Sequence, residues 1–407
     1  MAERYVGIDL NDKHAMISHY AKGMSEPGTF SMVTGSEVYQ IPVCISRKAE
    51  TGQWIYGEEA KRHAKEQKGA CVDGLLKKAL ASEEVELDGS VYGASELLFL
   101  FIKKLLGFVS QGGGEIWPDK LVIAVENMNP EHRKLFGFFA EWLKIPSERL
   151  LLFDYRESFY YYALSQAAEL CLHDAALYYY TTGKLFCLVL SHDRKTKPQI
   201  VTIEETHYEA MLKEKDEEFA KIVEHSLSGK IISSIYLIGD GFDGEWMKKS
   251  LSVICRGRRA FMGKNLFSKG ACYGAAVKSD HADWDYVYMG DNELKINISL
   301  KLENQEKTEF FSLITAGENW YEAHGECEVI LIGTPVIDFW FQAPRSKEAV
   351  VRSLELGDMP EREDKTTRLR ITAKPVAVDR IKLSIMDMGF GEIAKSSEKV
   401  WEYTIAI

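Results

Sequence analysis

The chain of 407 residues lacks the short motifs that identify many common enzymes and metal sites. It contains no P-loop, GxSxG or HExxH motif. Its seven cysteines are widely scattered, form no CxxC pair and have no histidine at the spacing of a structural zinc site. Cys44 and Cys187 lie in apolar segments, so we expect reduced, mostly buried thiols rather than a disulfide or zinc framework.

An excess of positive charge and a long apolar run are also missing. Lys and Arg total 50 against 61 Asp and Glu, which gives a net charge of −11 and argues against binding to nucleic acid or to an anionic membrane. The most apolar stretch, Glu96–Val109, is interrupted by Lys103 and Lys104 and is shorter than the ~20 residues that span a bilayer. The N-terminal MAERYVGIDL does not resemble a signal peptide. We therefore expect a cytoplasmic protein.

The most informative stretch that is present is Tyr5–Tyr20, which reads as two short strands joined by a tight turn. Apolar and polar residues alternate on both sides of Asn11-Asp12-Lys13, whose composition is typical of a hairpin connection. Asp9 lies one residue before the end of the first strand. Such a hairpin can direct backbone N–H groups toward a phosphate while the carboxylate holds a metal or its waters. An ordinary N-terminal hairpin is the alternative interpretation.

Strands and helices alternate over the first 280 residues. KLVIAV (120–125) has the apolar composition of a buried parallel strand, and a helix is predicted after it, with Asn129 as its cap and Pro130 at its first position. A second cycle begins near His173, with a paired-strand pattern over 176–191, a helical stripe over 206–228 and a short strand at 251–255. Residues 68–92 read as irregular. Mixed α/β layers follow from this alternation.

The character of the chain changes at about Trp284. Seven alternating stretches then recur at short spacing, which is typical of an all-β sandwich. They are KINISLKL, TEFFSLIT, CEVILIG, IDFWFQA, TRLRITAKPVAV, RIKLSIMDMG and KVWEYTIAI. The predicted domains are therefore 1–170, 171–280 and 284–407, with a polar linker, SDHADWD, before the last of them.

Five segments in order resemble the actin-like ATPase superfamily, and among its branches the seventy-kilodalton heat-shock chaperones most of all. The resemblance extends over the first 280 residues, about two thirds of the chain, at low identity. In sequence order they are GIDL (7–10), IPVCISRKAETGQWIYGEEAKRHA (41–64), KLVIAVENMNPEHRKLF (120–136), SIYLIGDGF (234–242) and GACYGAAV (270–277). The resemblance implies a two-lobed, ribonuclease H-like fold that binds ATP or ADP with Mg²⁺, followed by a β-sandwich that binds a peptide or protein partner.

The same resemblance assigns individual residues. Asp9 matches the metal-associated aspartate of the first phosphate hairpin, and the turn near the adenosine matches Gly239-Asp240-Gly241. The full set assigned to nucleotide binding is Asp9, Asn11, Asp12, Lys13, Thr181, Thr182, Gly183, Gly239, Asp240 and Gly241. Lys77 and Lys78 lie near the position of the chaperones' catalytic lysine but match it poorly, and Lys213, Lys215 and Lys221 read as solvated helix positions.

Several departures from the family pattern bear on hydrolysis. The second hairpin has Tyr179 where the family has an aspartate, and Thr181 and Thr182 where it has glycines. Losing one charge-organising element commonly costs a hundred-fold or more in rate. Asp154 and Glu157 could serve as acid and base or could simply cap a helix.

Three functional hypotheses follow. The first is a heat-shock-chaperone-like nucleotide-binding protein with weak or no ATPase activity that acts as a switch or scaffold. The second is a platform that binds no nucleotide and uses the β-sandwich for a protein partner. The third, a small-molecule kinase, is disfavoured by Tyr179.

Overall fold

The computed structural model describes residues 3–67, 70–109, 118–181, 183–211, 213–280, 284–304 and 307–407. The chain divides into two compact units. The first unit comprises Met1–Ser191 and Ile203–Trp284, and the second comprises His192–Thr202 and Asp285–Ile407. The mixed α/β character predicted for the first part of the chain and the strand-rich character predicted for the last part are both confirmed.

The described elements follow one another along the chain as sixteen strands and eight helices before residue 281 and nine strands after it. The early strands are β1 Arg4–Leu10, β2 His14–Ala21, β3 Gly28–Thr29, β4 Ile41–Pro42, β5 Cys44–Arg47, β6 Trp54–Tyr56, β7 Cys71–Asp73, β8 Glu84–Leu87, β9 Ser90–Gly93, β10 Lys120–Val125, β11 Leu150–Asp154, β12 Asp174–Thr181, β13 Lys184–Asp193, β14 Gln199–Glu209, β15 Ile232–Ile238 and β16 Arg259–Gly263. The helices are α1 Gly57–Gln67, α2 Leu75–Leu80, α3 Ala94–Val109, α4 Pro130–Leu143, α5 Tyr155–Leu164, α6 Lys215–Ser226, α7 Lys249–Ile254 and α8 Leu266–Asp280.

The first sheet has the strand order β3-β2-β1-β10-β11, with β4 also paired to β2. The predicted N-terminal hairpin is confirmed, because β1 and β2 pair antiparallel from Arg4 opposite Ala21 to Leu10 opposite Ala15. β1 then pairs parallel with β10, and β10 parallel with β11. Asp9 and Val125 therefore both lie at the carboxyl ends of parallel strands, where the side chains of neighbouring strands meet at one edge.

The second sheet repeats this plan with the order β14-β13-β12-β15-β16. β12 pairs antiparallel with β13 and parallel with β15, and β15 pairs parallel with β16. Apart from β4 in the first sheet and a sixth strand that pairs with β14 in the second, the strands of both sheets are ordered third, second, first, fourth, fifth in chain order. The repeat seen in the order of sequence elements is thus also a repeat of sheet topology.

Helices α5 and α8 cross each other closely. α5 follows β11 and α8 follows β16. A Cβ atom at Gly270 would lie 2.0 Å from the Ser158 carbonyl oxygen, and one at Gly274 would lie 2.3 Å from the Phe153 ring. α8 also lies against β1, since a Cβ at Gly7 would lie 2.2 Å from the Ser268 carbonyl oxygen. Glycine is required at these positions because any side chain would separate the backbones.

The second unit contains β17 Tyr286–Tyr288, which pairs parallel with the start of β14, and two antiparallel sheets of four strands each. The orders are β19-β18-β21-β22 and β20-β23-β24-β25. Their bounds are β18 Asn297–Asn304, β19 Lys307–Ile314, β20 Gly325–Ile330, β21 Val336–Gln342, β22 Val350–Glu355, β23 Arg368–Ala377, β24 Arg380–Gly389 and β25 Val400–Ala406. Phe339 and Phe341 of one sheet share a single core with Ile371 and Leu383 of the other, as in a β-sandwich.

Several local predictions were wrong. Residues 251–255, predicted as a strand, belong to helix α7 and its C-cap, and the segment 206–228 is strand to Glu209 before helix α6 begins at Lys215. The segment 68–92 was predicted as irregular, but its described residues, from 70 onward, form β7, α2 and most of the β8–β9 hairpin. Strand β22 was not predicted at all. Of the seven free cysteines, Cys255 is exposed, and only Cys44, Cys187 and Cys272 are buried.

Candidate functional site

A cleft of about 510 Å³ lies in the first unit at the edge where the carboxyl ends of both sheets' central strands emerge. Seven of the ten residues assigned from the sequence line it: Asp9, Asn11, Asp12, Lys13, Thr181, Gly239 and Asp240. Gly183 and Gly241 do not, and Thr182 lies outside the described residues. Sequence reasoning did not assign a further set of lining residues: His14, Gln40, Lys77, Glu126, Asn127, Asn129, His132, Tyr179, Lys264 and Phe267.

Asp9 forms the buried end of the cleft. Its side chain is 1% exposed, and the Tyr155 hydroxyl donates a hydrogen bond of 2.5 Å to its Oδ1. Burial raises the pKa of Asp9 to about 7; the Tyr155 hydrogen bond opposes this rise, and the charge of Glu126 adds to it. In the folded chain, Asp9 therefore keeps its proton to a higher pH than an exposed carboxyl group does.

The turn of the first hairpin is closed by its own side chain. Asn11 Oδ1 accepts hydrogen bonds from the backbone N–H groups of Lys13 at 2.9 Å and His14 at 3.0 Å. This Asx-type turn satisfies two of the N–H groups that a phosphate hairpin would direct toward its ligand. Any anion in the cleft must replace Asn11 at these groups or be held by other donors.

Lysine side chains supply the positive charge of the cleft. Lys13 lies in the hairpin turn, and Lys77 is held beside it because its backbone N–H donates a hydrogen bond of 2.7 Å to Asp12 Oδ1. Within the described part of the chain, neither ammonium group has a hydrogen-bond acceptor. Lys264 differs, since its ammonium group contacts Asp240 at 3.3 Å and Asp243 at 2.8 Å.

Aromatic rings fill the region beside Asp9. Tyr155 stacks on Phe267 with ring centroids 3.8 Å apart, and Tyr179 meets both rings edge-on at 5.6 and 5.4 Å. Phe186 extends the group from the neighbouring strand. Burial raises the pKa of the Tyr179 hydroxyl well above its ordinary value, so the phenol stays neutral and cannot replace a carboxylate charge.

The glycines of the second sheet have structural explanations. A Cβ at Gly239, where φ is +105°, would lie 2.4 Å from the Tyr180 carbonyl oxygen, and one at Gly241 would lie 2.3 Å from the Tyr180 ring. Gly183 has φ +106° in the β12–β13 turn, a conformation that favours glycine. Thr181 Oγ1 donates to the Lys184 carbonyl oxygen at 3.5 Å. These glycines therefore fit the turn against Tyr180, whether or not a ligand is bound.

Gln40 and Asp240 join the two sheets across the cleft. Gln40 Nε2 donates to Asp240 Oδ1 at 3.0 Å and lies 3.3 Å from His14 Nε2. Burial lowers the pKa of His14, whereas the hydrogen bonds from Gln40 and Lys264 lower the pKa of Asp240 despite its partial burial. Gln40 could not be assigned from its sequence neighbourhood, because it reaches Asp240 only after folding.

The donor set at Asp9 does not fit a magnesium site built by the protein. One oxygen of its carboxylate already accepts the Tyr155 hydroxyl. Among the described residues, no group of three or more His, Cys, Asp or Glu side chains could hold a metal ion. Mg²⁺ requires near-octahedral oxygen ligands, and a single carboxylate that already accepts a hydroxyl supplies few of them.

Three other side chains can be given plain structural roles. Asp154 caps α5, since its Oδ1 accepts the Glu157 N–H at 2.8 Å, and Asn129 caps α4 in the same way, as predicted. Lys215 is not a solvated position, because its ammonium group lies 4.2 Å from the Trp246 ring centroid and donates to the Gly241 carbonyl oxygen at 2.7 Å. It therefore fixes the turn that carries Asp240.

The chain is thus a mixed α/β protein with a polar cleft in its first unit, followed by a strand-rich unit. Residues 26–291 match the C-terminal part of a family of unknown function (DUF5716), and because the match covers more than half of the chain, the protein belongs to this family. Residues 293–407 match a domain of unknown function (DUF8552). No curated protein matches the chain. Within the described ranges, no helix is both long and apolar enough to cross a membrane.

Proposed function

We propose that the first unit is an actin-like, two-lobed protein whose cleft binds a nucleotide and hydrolyses it slowly or not at all. The observation that supports this most strongly is the repeated sheet topology together with the cleft that both hairpins line. In an open α/β arrangement, ligands bind at the carboxyl ends of the strands. The cleft volume of about 510 Å³ also falls in the range of small-molecule sites.

Slow or absent hydrolysis is proposed from the chemistry of the side chains. Phosphoryl transfer depends on positioned charge that stabilises the transferring group and on an oriented nucleophile. Tyr179 contributes a neutral phenol where a charged group would be needed, and Asp154 is occupied in capping α5. The nucleotide would then act as a ligand that favours one arrangement of the lobes, which suits a switch or a scaffold.

One observation favours the second candidate, a platform that binds no nucleotide. Asn11 already satisfies the N–H groups of Lys13 and His14, so the turn is complete without a phosphate. The glycines at 239 and 241 are likewise explained by Tyr180. On this alternative, the cleft binds no nucleotide, and only the strand-rich unit has a binding function.

Isothermal titration of the full chain with ADP and with ATP separates the two candidates. Nucleotide binding predicts a saturable heat that weakens in Lys13→Gln and Lys77→Gln, because both side chains line the cleft. Lys22→Gln is the matched control, since Lys22 is an exposed lysine outside the cleft. Absence of heat with millimolar ligand would support the platform. Phosphate release by the wild type well above that of the Lys77→Gln variant would contradict slow hydrolysis.

The strand-rich unit is proposed to bind an extended peptide segment of a partner protein. Its edge strands β19 and β22 are exposed along most of their length. Phe310 (58% exposed), Trp340 and Val351 (42% exposed) form a row across the sheet, with the Phe310 and Trp340 ring centroids 5.2 Å apart. An exposed edge strand beside apolar side chains is the surface that strand addition uses.

A peptide array tests whether this row of side chains binds peptides in the full chain. Phe310→Lys and Val351→Lys should each lower retention of apolar extended peptides by about ten-fold, since one such anchor is worth roughly 1–2 kcal/mol. Ile393→Lys is the control, because Ile393 is 71% exposed in the same unit but lies outside the row. Equal losses in all three variants would show a general effect of charge and would overturn the proposal.

A further inference from the structure

The chemistry around Asp9 indicates what form of nucleotide the cleft would accept. The Tyr155 hydroxyl occupies Asp9 Oδ1 at 2.5 Å, which is the position that a metal-bound water or a metal ion would take on that oxygen. The hydroxyl cannot move away easily, because the Tyr155 ring stacks on Phe267 at 3.8 Å and meets Tyr179 edge-on. The protein itself therefore supplies the hydrogen-bond donor at the only acidic residue assigned to a metal.

In the described part of the chain, the rest of the cleft provides no cluster of side chains that could hold a cation. Glu126 is the acidic neighbour whose charge acts on Asp9, and among the described residues the two belong to no group of three metal-binding side chains. The acidic Asp240 at the opposite side is already bound by Gln40 and Lys264. Four carboxylate side chains line the cleft, and three of them already accept hydrogen bonds: Asp9 from Tyr155, Asp12 from the Lys77 backbone, and Asp240 from Gln40 and Lys264.

The cations that remain for a ligand are lysines. Lys13 and Lys77 line the cleft side by side with Asp12, and in the described structure their ammonium groups have no acceptor. An ammonium group neutralises phosphate as a point charge and does not need a metal to bridge it. Because Asp12 offsets part of their charge, the two groups balance a charge of about −2 at most, which is less than that of a metal-free nucleoside triphosphate.

We propose that the cleft binds its nucleotide as a free anion without a divalent cation, and that it prefers a nucleoside monophosphate or diphosphate to a triphosphate. This inference rests on the proposed nucleotide-binding function. It differs from that function in a measurable way, because magnesium forms complexes with ADP and ATP and so competes with the lysines for the same phosphate oxygens.

The test is isothermal titration of the full chain with AMP, ADP and ATP, each in EDTA and in millimolar MgCl₂. We expect ADP to bind in EDTA, to bind no more tightly in MgCl₂, and to bind more tightly than ATP. Lys13→Gln and Lys77→Gln should each weaken ADP binding in EDTA by about five-fold. ADP binding that requires MgCl₂ would overturn this inference and leave the proposed function standing. Absence of binding by all three ligands in both buffers would overturn both.

Removing the Tyr155 hydroxyl gives a second, independent test. In Tyr155→Phe, both oxygens of Asp9 become available, so MgCl₂ should now tighten ADP binding by several-fold relative to EDTA. Tyr178→Phe is the control, because Tyr178 is a buried tyrosine that donates or accepts at Ser226 away from the cleft. The ratio of the two dissociation constants within each variant is compared, so a general loss of stability does not affect the conclusion. An unchanged ratio in Tyr155→Phe would contradict the role given to this hydroxyl.

Discussion

Single side chains decide the chemistry of this cleft, and Asp9 is the clearest case. A buried carboxyl group without a compensating cation prefers its neutral form, which is why its pKa lies at about 7 rather than near 4. The folded chain then holds a proton that the unfolded chain has released between these two pH values. The free energy of unfolding must therefore fall as pH rises through this window.

Asp9→Asn tests this directly. The amide oxygen can still accept the Tyr155 hydroxyl, but the side chain no longer ionises, so the variant avoids a penalty of up to about 4 kcal/mol above pH 7. We expect Asp9→Asn to be more stable than the wild type by several kcal/mol at pH 8 but by only about 1 kcal/mol at pH 4.5, measured by urea unfolding. Asp73→Asn, which changes an exposed carboxylate of the same unit, is the matched control. A gain in Asp9→Asn that is the same at both pH values would contradict the titration argument.

Asn11 is a second residue at which a single substitution has testable consequences, one for stability and one for ligand binding. In Asn11→Ala, the N–H groups of Lys13 and His14 lose their acceptor, and the hairpin should lose about 1 kcal/mol of stability. The same change exposes two backbone donors to the cleft. If the cleft binds phosphate, ADP should bind several-fold more tightly to the variant, as measured by titration. Weaker or unchanged ADP binding would show that these donors do not reach the ligand.

At the scale of whole elements, the crossing of α5 and α8 depends on glycine. An alanine at position 274 would place its Cβ 2.3 Å from the Phe153 ring of β11 and 2.6 Å from the Tyr161 ring of α5, so α8 must move away from both. Gly137 in α4 is the matched control, because a Cβ there meets no atom within 4 Å. We expect Gly274→Ala to destabilise the first unit by about 1–3 kcal/mol and Gly137→Ala to stabilise it by about 0.5–1 kcal/mol, measured by urea unfolding. Equal effects of the two substitutions would contradict the close crossing.

The elements that could be predicted from sequence are those whose signal is local. The N-terminal hairpin, helix α4 with its Asn129 cap and seven strands of the second unit all follow from short-range alternation or capping. Helix α7 was predicted as a strand because LSVIC is rich in apolar residues. Its first N–H groups are capped by Asp216, more than thirty residues earlier, and this long-range contact is invisible in the local pattern.

The residues of the candidate site also divide into those with a local sequence signal and those that depend on long-range contacts. Asp9 and the hairpin turn could be assigned because one contiguous stretch carries them. Gln40, His132 and Lys264 could not, because each reaches the cleft only through tertiary structure. The exposed edge strand β22 was also missed, since a strand that is solvated on both faces has no alternation to detect. The sequence alone therefore identifies the N-terminal hairpin around which the site is built, but not most of the residues that line the cleft.

For the molecule as a whole, the division into two compact units predicts separable behaviour in solution. Each unit has its own hydrophobic core, so unfolding need not be a single two-state transition. The bidentate ion pair between Arg362 and buried Asp387 belongs to the second unit alone, and breaking it should affect only that unit's transition. The helix crossing at Gly274 belongs to the first unit alone.

Scanning calorimetry combines these features into one experiment on the full chain. Two transitions are expected, with Gly274→Ala lowering one and Asp387→Asn lowering the other, which assigns each transition to its unit. A ligand that binds only the folded first unit stabilises it by about 2.7 kcal/mol at a hundred times its dissociation constant. ADP in EDTA should therefore raise the transition that Gly274→Ala lowers and leave the other in place. If ADP raises neither transition, the cleft does not bind ADP; if it raises both by the same amount, the two units unfold together and their separation into independent units is wrong.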